Sequence, residues 1–187
     1  MASACILLLN RQPKYYPTFR SILVYPGAYV ARQSKRDGVI SVVQDELRLG
    51  ESWQRGPVVL AWDHVLHGAL DAKDGRNVVL HEFARKFDEA DGSMDGTPIL
   101  NQTSHYVSWA RVMHPEFERL IKKAKKGRKT VLDHYGAASP AEFFAVLTET
   151  FFEKPKALKR KHPELYEEVR SFYQVDPLEW RDDQSHT

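Results

Sequence analysis

Val78-Val79-Leu80-His81-Glu82-Phe83-Ala84-Arg85-Lys86-Phe87-Asp88 is the stretch from which the rest of the chain can be read. Val79, Leu80, Phe83, Ala84 and Phe87 recur at helical spacing and gather on one face, while His81, Arg85 and Asp88 gather on another. His81-Glu82 is the first half of the His-Glu-x-x-His pattern, in which two histidines one turn apart hold zinc and the glutamate serves as general base. Position 85, where the second histidine would stand, is arginine. A guanidinium stays protonated and offers a cation no lone pair, so this helix supplies one metal-ligating histidine rather than two. The plain alternative is an amphipathic surface helix with a Glu82–Lys86 pair one turn apart.

Upstream, residues 22–27, 39–49 and 57–62 are short β-branched or alternating runs bounded by Gly and Pro, and they predict the strands of a small sheet. Downstream, helical periodicity predicts helices over 76–90, 104–126, 140–153 and 163–173, with Gly or Pro in the gaps. Residues 1–10 carry an apolar run too short to span a membrane and with no basic residue ahead of it. They read as the end of a core helix, with the chain expected to begin inside a larger unit. The loop 88–98 has aspartates at several alternate positions but not the calcium-loop pattern with its terminal glutamate, which leaves calcium as a minor reading. The basic run at 122–129 closes a helix, where cations favour the negative end of the dipole, and reads as a solvated helix end.

The chain has 187 residues, of which 42% are hydrophobic, enough for the core of one domain over residues 1–187. Its 27 basic and 25 acidic side chains are intermixed and leave a net charge of +2, which argues against a nucleic-acid surface. Neither nucleic acid nor membrane is expected as a partner. Cys5 is the only cysteine, so no internal disulfide forms, and a cytoplasmic setting is expected.

Five segments carry a resemblance. They are 78–88 with the following Asp91-Gly92 and Asp95-Gly96; Ser21-Ile22-Leu23-Val24-Tyr25-Pro26; Gly56-Pro57-Val58-Val59-Leu60-Ala61-Trp62-Asp63; Asp133-His134-Tyr135-Gly136 continuing through Glu142 to Val146; and Phe172-Tyr173-Gln174-Val175-Asp176-Pro177. Running in family order across nearly the whole chain, they resemble the Mlc titration factor A family of bacterial zinc metallopeptidases. The resemblance implies an α/β (α+β) zincin-like fold related to the catalytic domain of anthrax lethal factor, with a small N-terminal sheet and a helical C-terminal half. It also implies zinc as cofactor, aminopeptidase-type activity in some members, and binding to the transcriptional repressor Mlc. By the same resemblance His81 is the first zinc ligand, Glu82 the general base, Glu142 the third ligand and Tyr135 the active-site tyrosine, with Asp133 the acidic residue two before it. Arg85 falls on the second zinc histidine, where the sequence departs from the family. Members usually have a longer N-terminal segment, so this chain is expected to lack one.

The same residues have plainer readings. Ser139-Pro140-Ala141-Glu142 is a capping box, and Tyr135 before Gly136 suits simple packing. In zincins a tyrosine so placed can donate to the oxyanion at the scissile carbonyl. Asp88, seven residues past His81, lies about 10 Å further along the axis, too far to share an ion, and is at best a supporting residue. His134 is the best replacement ligand, ahead of His64, His67 and His105. With the metal gone, carboxylates converging on the site would need a cation, so Arg85 is expected to pair with Glu142 and with Glu82. Three functions follow. One is a zinc peptidase in which strand 57–62 pairs with a peptide substrate and Glu82 activates water. The second is a non-catalytic member that binds a protein partner, such as a transcriptional repressor, through the old cleft or the C-terminal helices. The third is an anion site at Arg85.

Overall fold

The structure, a computed structural model, describes residue 7 and residues 21–27, 29–37, 40–48, 50–52 and 56–182. Strands β1 (Ile22–Tyr25), β2 (Tyr29–Asp37), β3 (Ile40–Arg48), β4 (Gly50–Ser52) and β5 (Val58–Ala61) come first. Helices α1 (Trp62–Leu70), α2 (Val78–Asp88), α3 (Thr103–Lys125), α4 (Pro140–Glu153), α5 (Pro155–Lys161), α6 (Pro163–Tyr173) and α7 (Glu179–Asp182) follow. This is the α+β arrangement expected of a zincin-like domain.

The three-stranded sheet runs β1-β5-β4, with Ile22 opposite Val58 in the parallel pair and Gly50 opposite Leu60 in the antiparallel one. β2 and β3 form a separate antiparallel hairpin from Tyr29 opposite Arg48 to Asp37 opposite Ile40. β5 is therefore a central strand, and its four residues are all buried, as befits a continuous apolar run. That corrects the expectation that strand 57–62 pairs with substrate. Both of its hydrogen-bonding edges are taken by β1 and β4, and only outer strands have an edge to offer. Besides the short β4, α5 and α7, the strand β2 and the helix α1 escape sequence reading. β2 has only polar residues after Ala31, and pairing with β3 rather than local propensity makes it a strand. Trp62, read as strand, instead opens α1, with Asp63 in its first turn favouring the helix dipole.

The helical half follows its punctuation. α4 starts with Pro140 in its first turn, behind the N-cap Ser139, whose hydroxyl accepts from the Glu142 amide at 3.2 Å. α3 ends where the Gly127 amide bonds to the Ala124 carbonyl and the Arg128 amide to that of Lys123, with Gly127 at φ 59°. The basic run thus closes a helix, as its composition suggests. The core lies between α2, α3, α4 and α6, where Phe87, Trp109, Phe144 and Phe172 pack edge to face or tilted at 5.6–5.7 Å. Leu7 belongs to this core; the other residues of the expected first helix lie outside the described ones.

Candidate functional site

Every residue of α4 from Ala141 to Glu153 is buried, and three of them are glutamates. Buried carboxylates need partners, and α2 supplies them. Glu142 and Glu149 are two turns apart and so share one face of α4, against which His81 of α2 sits. His81 Nε2 is 2.9 Å from Glu142 Oε2, and Nδ1 is 2.5 Å from Glu149 Oε1. The other Glu149 oxygen accepts the Asn77 backbone N–H at 2.7 Å. Asn77 is the N-cap of α2: its Oδ1 accepts from the Leu80 amide and its Nδ2 donates to Glu153 Oε1 at 3.1 Å. Arg85 Nη1 lies 3.2 Å from Glu142 Oε1, as expected, but the expected pairing with Glu82 does not form: Glu82 Oε2 and Arg85 Nε are buried without hydrogen-bond partners.

Burial disfavours charge on His81, but its bonds to Glu142 and Glu149 more than offset this and push its pKa up to about 10. At neutral pH it is an imidazolium that donates from both nitrogens. Glu82 is also buried, which pushes its carboxyl up against the pull of His81 and Arg85, and its Oε2 has no hydrogen-bond partner. Lys86 is buried too, donating to Glu89 Oε1 at 2.6 Å and to the Gly56 carbonyl. The surface-pair reading of Glu82 and Lys86 therefore fails, because neither side chain is on the surface.

Tyr135 stands at the exposed mouth of this cluster, its ring centroid 5.8 Å from that of His81. It is held in a short 3-10 turn, His134–Ala137, whose N-cap Asp133 accepts the Tyr135 amide at 2.9 Å. The second Asp133 oxygen receives Arg76 Nε at 3.0 Å and Nη2 at 2.7 Å. Although burial works the other way, the Tyr135 amide and Arg76 hold the Asp133 carboxyl below its usual range. Asp133 thus supports the turn that presents Tyr135. The Ser139 hydroxyl caps the Glu142 amide, one half of the capping box, while the Glu142 carboxylate faces His81 and Arg85.

Other candidates lie apart from the cluster. His134 Nε2 is 2.9 Å from the Arg128 carbonyl, and His67 Nε2 is 3.2 Å from Asp74 Oδ2. Asp88 is buried at the end of α2, where burial and Asp95 raise its pKa to about 7 against the pull of the Gly96 and Thr97 amides. Its neighbours belong to the 91–97 loop, where Asp91 and Asp95 cap turns by accepting the Ser93 and Thr97 amides. Among the described residues no three His, Cys, Asp or Glu side chains converge as a metal-binding group. Zinc lacks a third ligand in this arrangement, since a guanidinium, which has no lone pair to give, occupies the second ligand position beside Glu142. Glu149 was the residue missed in the sequence, although its spacing from Glu142 places both on one helical face.

The chain matches the family described as glucose-regulated metallo-peptidase M90 over residues 1–174. It is 41% identical over 179 residues to the uncharacterized protein slr2042 of Synechocystis, an alignment covering 95% of this chain and 65% of that protein. It is 30% identical over 179 residues to Mlc titration factor A of Escherichia coli, covering 94% and 66%. With Mlc titration factor A of Pectobacterium atrosepticum it shares 33% over 164 residues, covering 86% and 61%. The chain thus spans just under two thirds of the length of these curated relatives. By this match over nearly all its residues, the chain belongs to the glucose-regulated metallo-peptidase M90 family, the family of Mlc titration factor A.

Proposed function

We propose that this chain is a family member that no longer hydrolyses peptides with zinc and that binds a protein partner through the surface at the rim of the old zinc site, where Tyr135 is exposed. One observation carries the reading: Arg85 Nη1 sits 3.2 Å from Glu142 Oε1, at the position of the second zinc histidine. A catalytic zinc needs about three protein ligands and an open position for water. His81 and Glu142 are two, and a fixed guanidinium stands in place of the third. Without a bound cation to acidify water, Glu82 has no nucleophile to generate. The partner is a peptide segment or a transcriptional repressor, the latter suggested by the name Mlc titration factor A. An extended segment would add to an outer strand of the described sheet, β1 or β4, and Tyr135 offers an exposed ring by His81. One domain over residues 1–187, working in the cytoplasm, completes the reading. No helix among the described residues is long and apolar enough to cross a membrane.

A second reading, a zinc aminopeptidase that tolerates Arg85, is favoured by the placement of Tyr135 beside His81. The deciding experiment measures hydrolysis of aminopeptidase substrates with added zinc, next to capture of the host repressor by immobilised protein. Capture without hydrolysis supports the binding role. Zinc-dependent turnover removes it in favour of the peptidase.

A further inference from the structure

We infer that Arg85 does the mechanical work of a metal ion here: with Asn77 and His81 it forms a polar zipper that fixes α2 against α4 and makes the site's architecture independent of metal. The teeth are regularly spaced. Asn77, His81 and Arg85 follow one another at one-turn intervals at the start and along one face of α2, and Glu149 and Glu142 are two turns apart on α4. Each of the four carboxylate oxygens faces one donor. Glu149 Oε2 takes the Asn77 amide, Glu149 Oε1 and Glu142 Oε2 take the two His81 nitrogens, and Glu142 Oε1 faces Arg85.

The order along the two helices is antiparallel, so a shift of either helix by one turn would exchange each donor for its neighbour and undo the present pairings. A zipper of this kind sets register as well as contributing stability. It also accounts for arginine over lysine at position 85. The planar, permanently charged guanidinium reaches the buried carboxylate through Nη1, and Glu82 supports its charge through space rather than by a hydrogen bond. Removing Arg85 leaves Glu142 buried with one cation fewer, the situation that costs most in a protein interior. A metal entering here would have to displace a donor already bound to Glu142.

This inference shares with the proposed function the absence of a resident metal, but it does not depend on partner binding, and its test reads stability alone. Thermal unfolding of the full, tag-free chain is followed in EDTA and in zinc chloride. The midpoint is expected to be the same in both, and Arg85→Met lowers it by roughly 5–10 °C. The double variant Arg85→Met/Glu142→Gln loses less than the sum of the single changes, because both act on one contact. If Arg85→Met does not fold, the double variant and the metal response of the unaltered chain still decide. A midpoint that rises with zinc and falls with EDTA overturns the inference, as does an unchanged midpoint in Arg85→Met or strict additivity in the double variant. Loss of repressor capture with these results intact refutes the proposed function alone.

Discussion

Replacing Glu149 by alanine removes the acceptor for two buried donors, the Asn77 amide at 2.7 Å and His81 Nδ1 at 2.5 Å. Glu149 is 6% exposed, so water cannot take its place without opening the α2–α4 contact. Hydrogen bonds to a charged group contribute about 1.5–3 kcal/mol each, and breaking one side of a buried ion pair costs about 3–5 kcal/mol. A loss of about 4 kcal/mol is therefore expected, a large part of the roughly 5–15 kcal/mol that holds a domain together. Glu149→Gln should lose about half as much, since its amide oxygen can serve one donor while its NH2 opposes the other. Urea unfolding measures both, as a lower midpoint at unchanged slope. A Glu149→Ala loss below about 1 kcal/mol, typical of a surface substitution, would refute the claim that this carboxylate joins the two helices.

Gly96 has φ 79°, and a Cβ there would meet the Pro140 carbonyl at 2.5 Å, so Gly96→Ala should cost more than the about 1–2 kcal/mol of a left-handed residue. Gly92→Ala, at φ 95° with nothing within 4 Å, should cost only that conformational part, and the two urea midpoints give the comparison. Stability should fall as pH rises from about 4 to about 7, because the folded protein holds Asp88 and Glu153 protonated to about 7, well above their ordinary values. Asp88→Asn should flatten this slope in urea titrations across that window. A further decline is expected from pH 6.5 to about 10, where the folded state gives up the raised His81 proton and with it the charge that binds Glu142 and Glu149. Arg85→His should raise zinc affinity, read by mass spectrometry of the purified variant. If that variant holds zinc but cleaves no peptide, a further catalytic element is missing as well.

Helices α4 and α6 were legible to the residue, because Ser139-Pro140 and Pro163 mark their starts by chemistry that acts locally. The Arg85–Glu142 pair was legible through the family resemblance, which sets Glu142 at the site as a zinc ligand and Arg85 at the position of the second zinc histidine. β2 was not, because its polar run becomes a strand only by pairing with the adjacent β3 in a hairpin. The central place of β5 was hidden for the same reason: β4 is three residues long and carries no strand signal of its own. Glu149 carries no motif of its own, although its spacing from Glu142 sets both on one helical face. A motif directs attention to the helix that bears it, whereas the groups that orient a histidine come from whatever packs against that helix. Lys86 shows the converse, a charged residue that belongs on a surface by composition and is buried by its bond to Glu89.

Metal content of the unaltered chain, purified without a histidine tag and dialysed against trace zinc, tests the central claim most directly. With Arg85 paired to Glu142, zinc should remain far below one ion per chain, and peptide hydrolysis should stay at the level of the buffer. One tightly held zinc per chain, accompanied by peptide cleavage that a chelator abolishes, would contradict it.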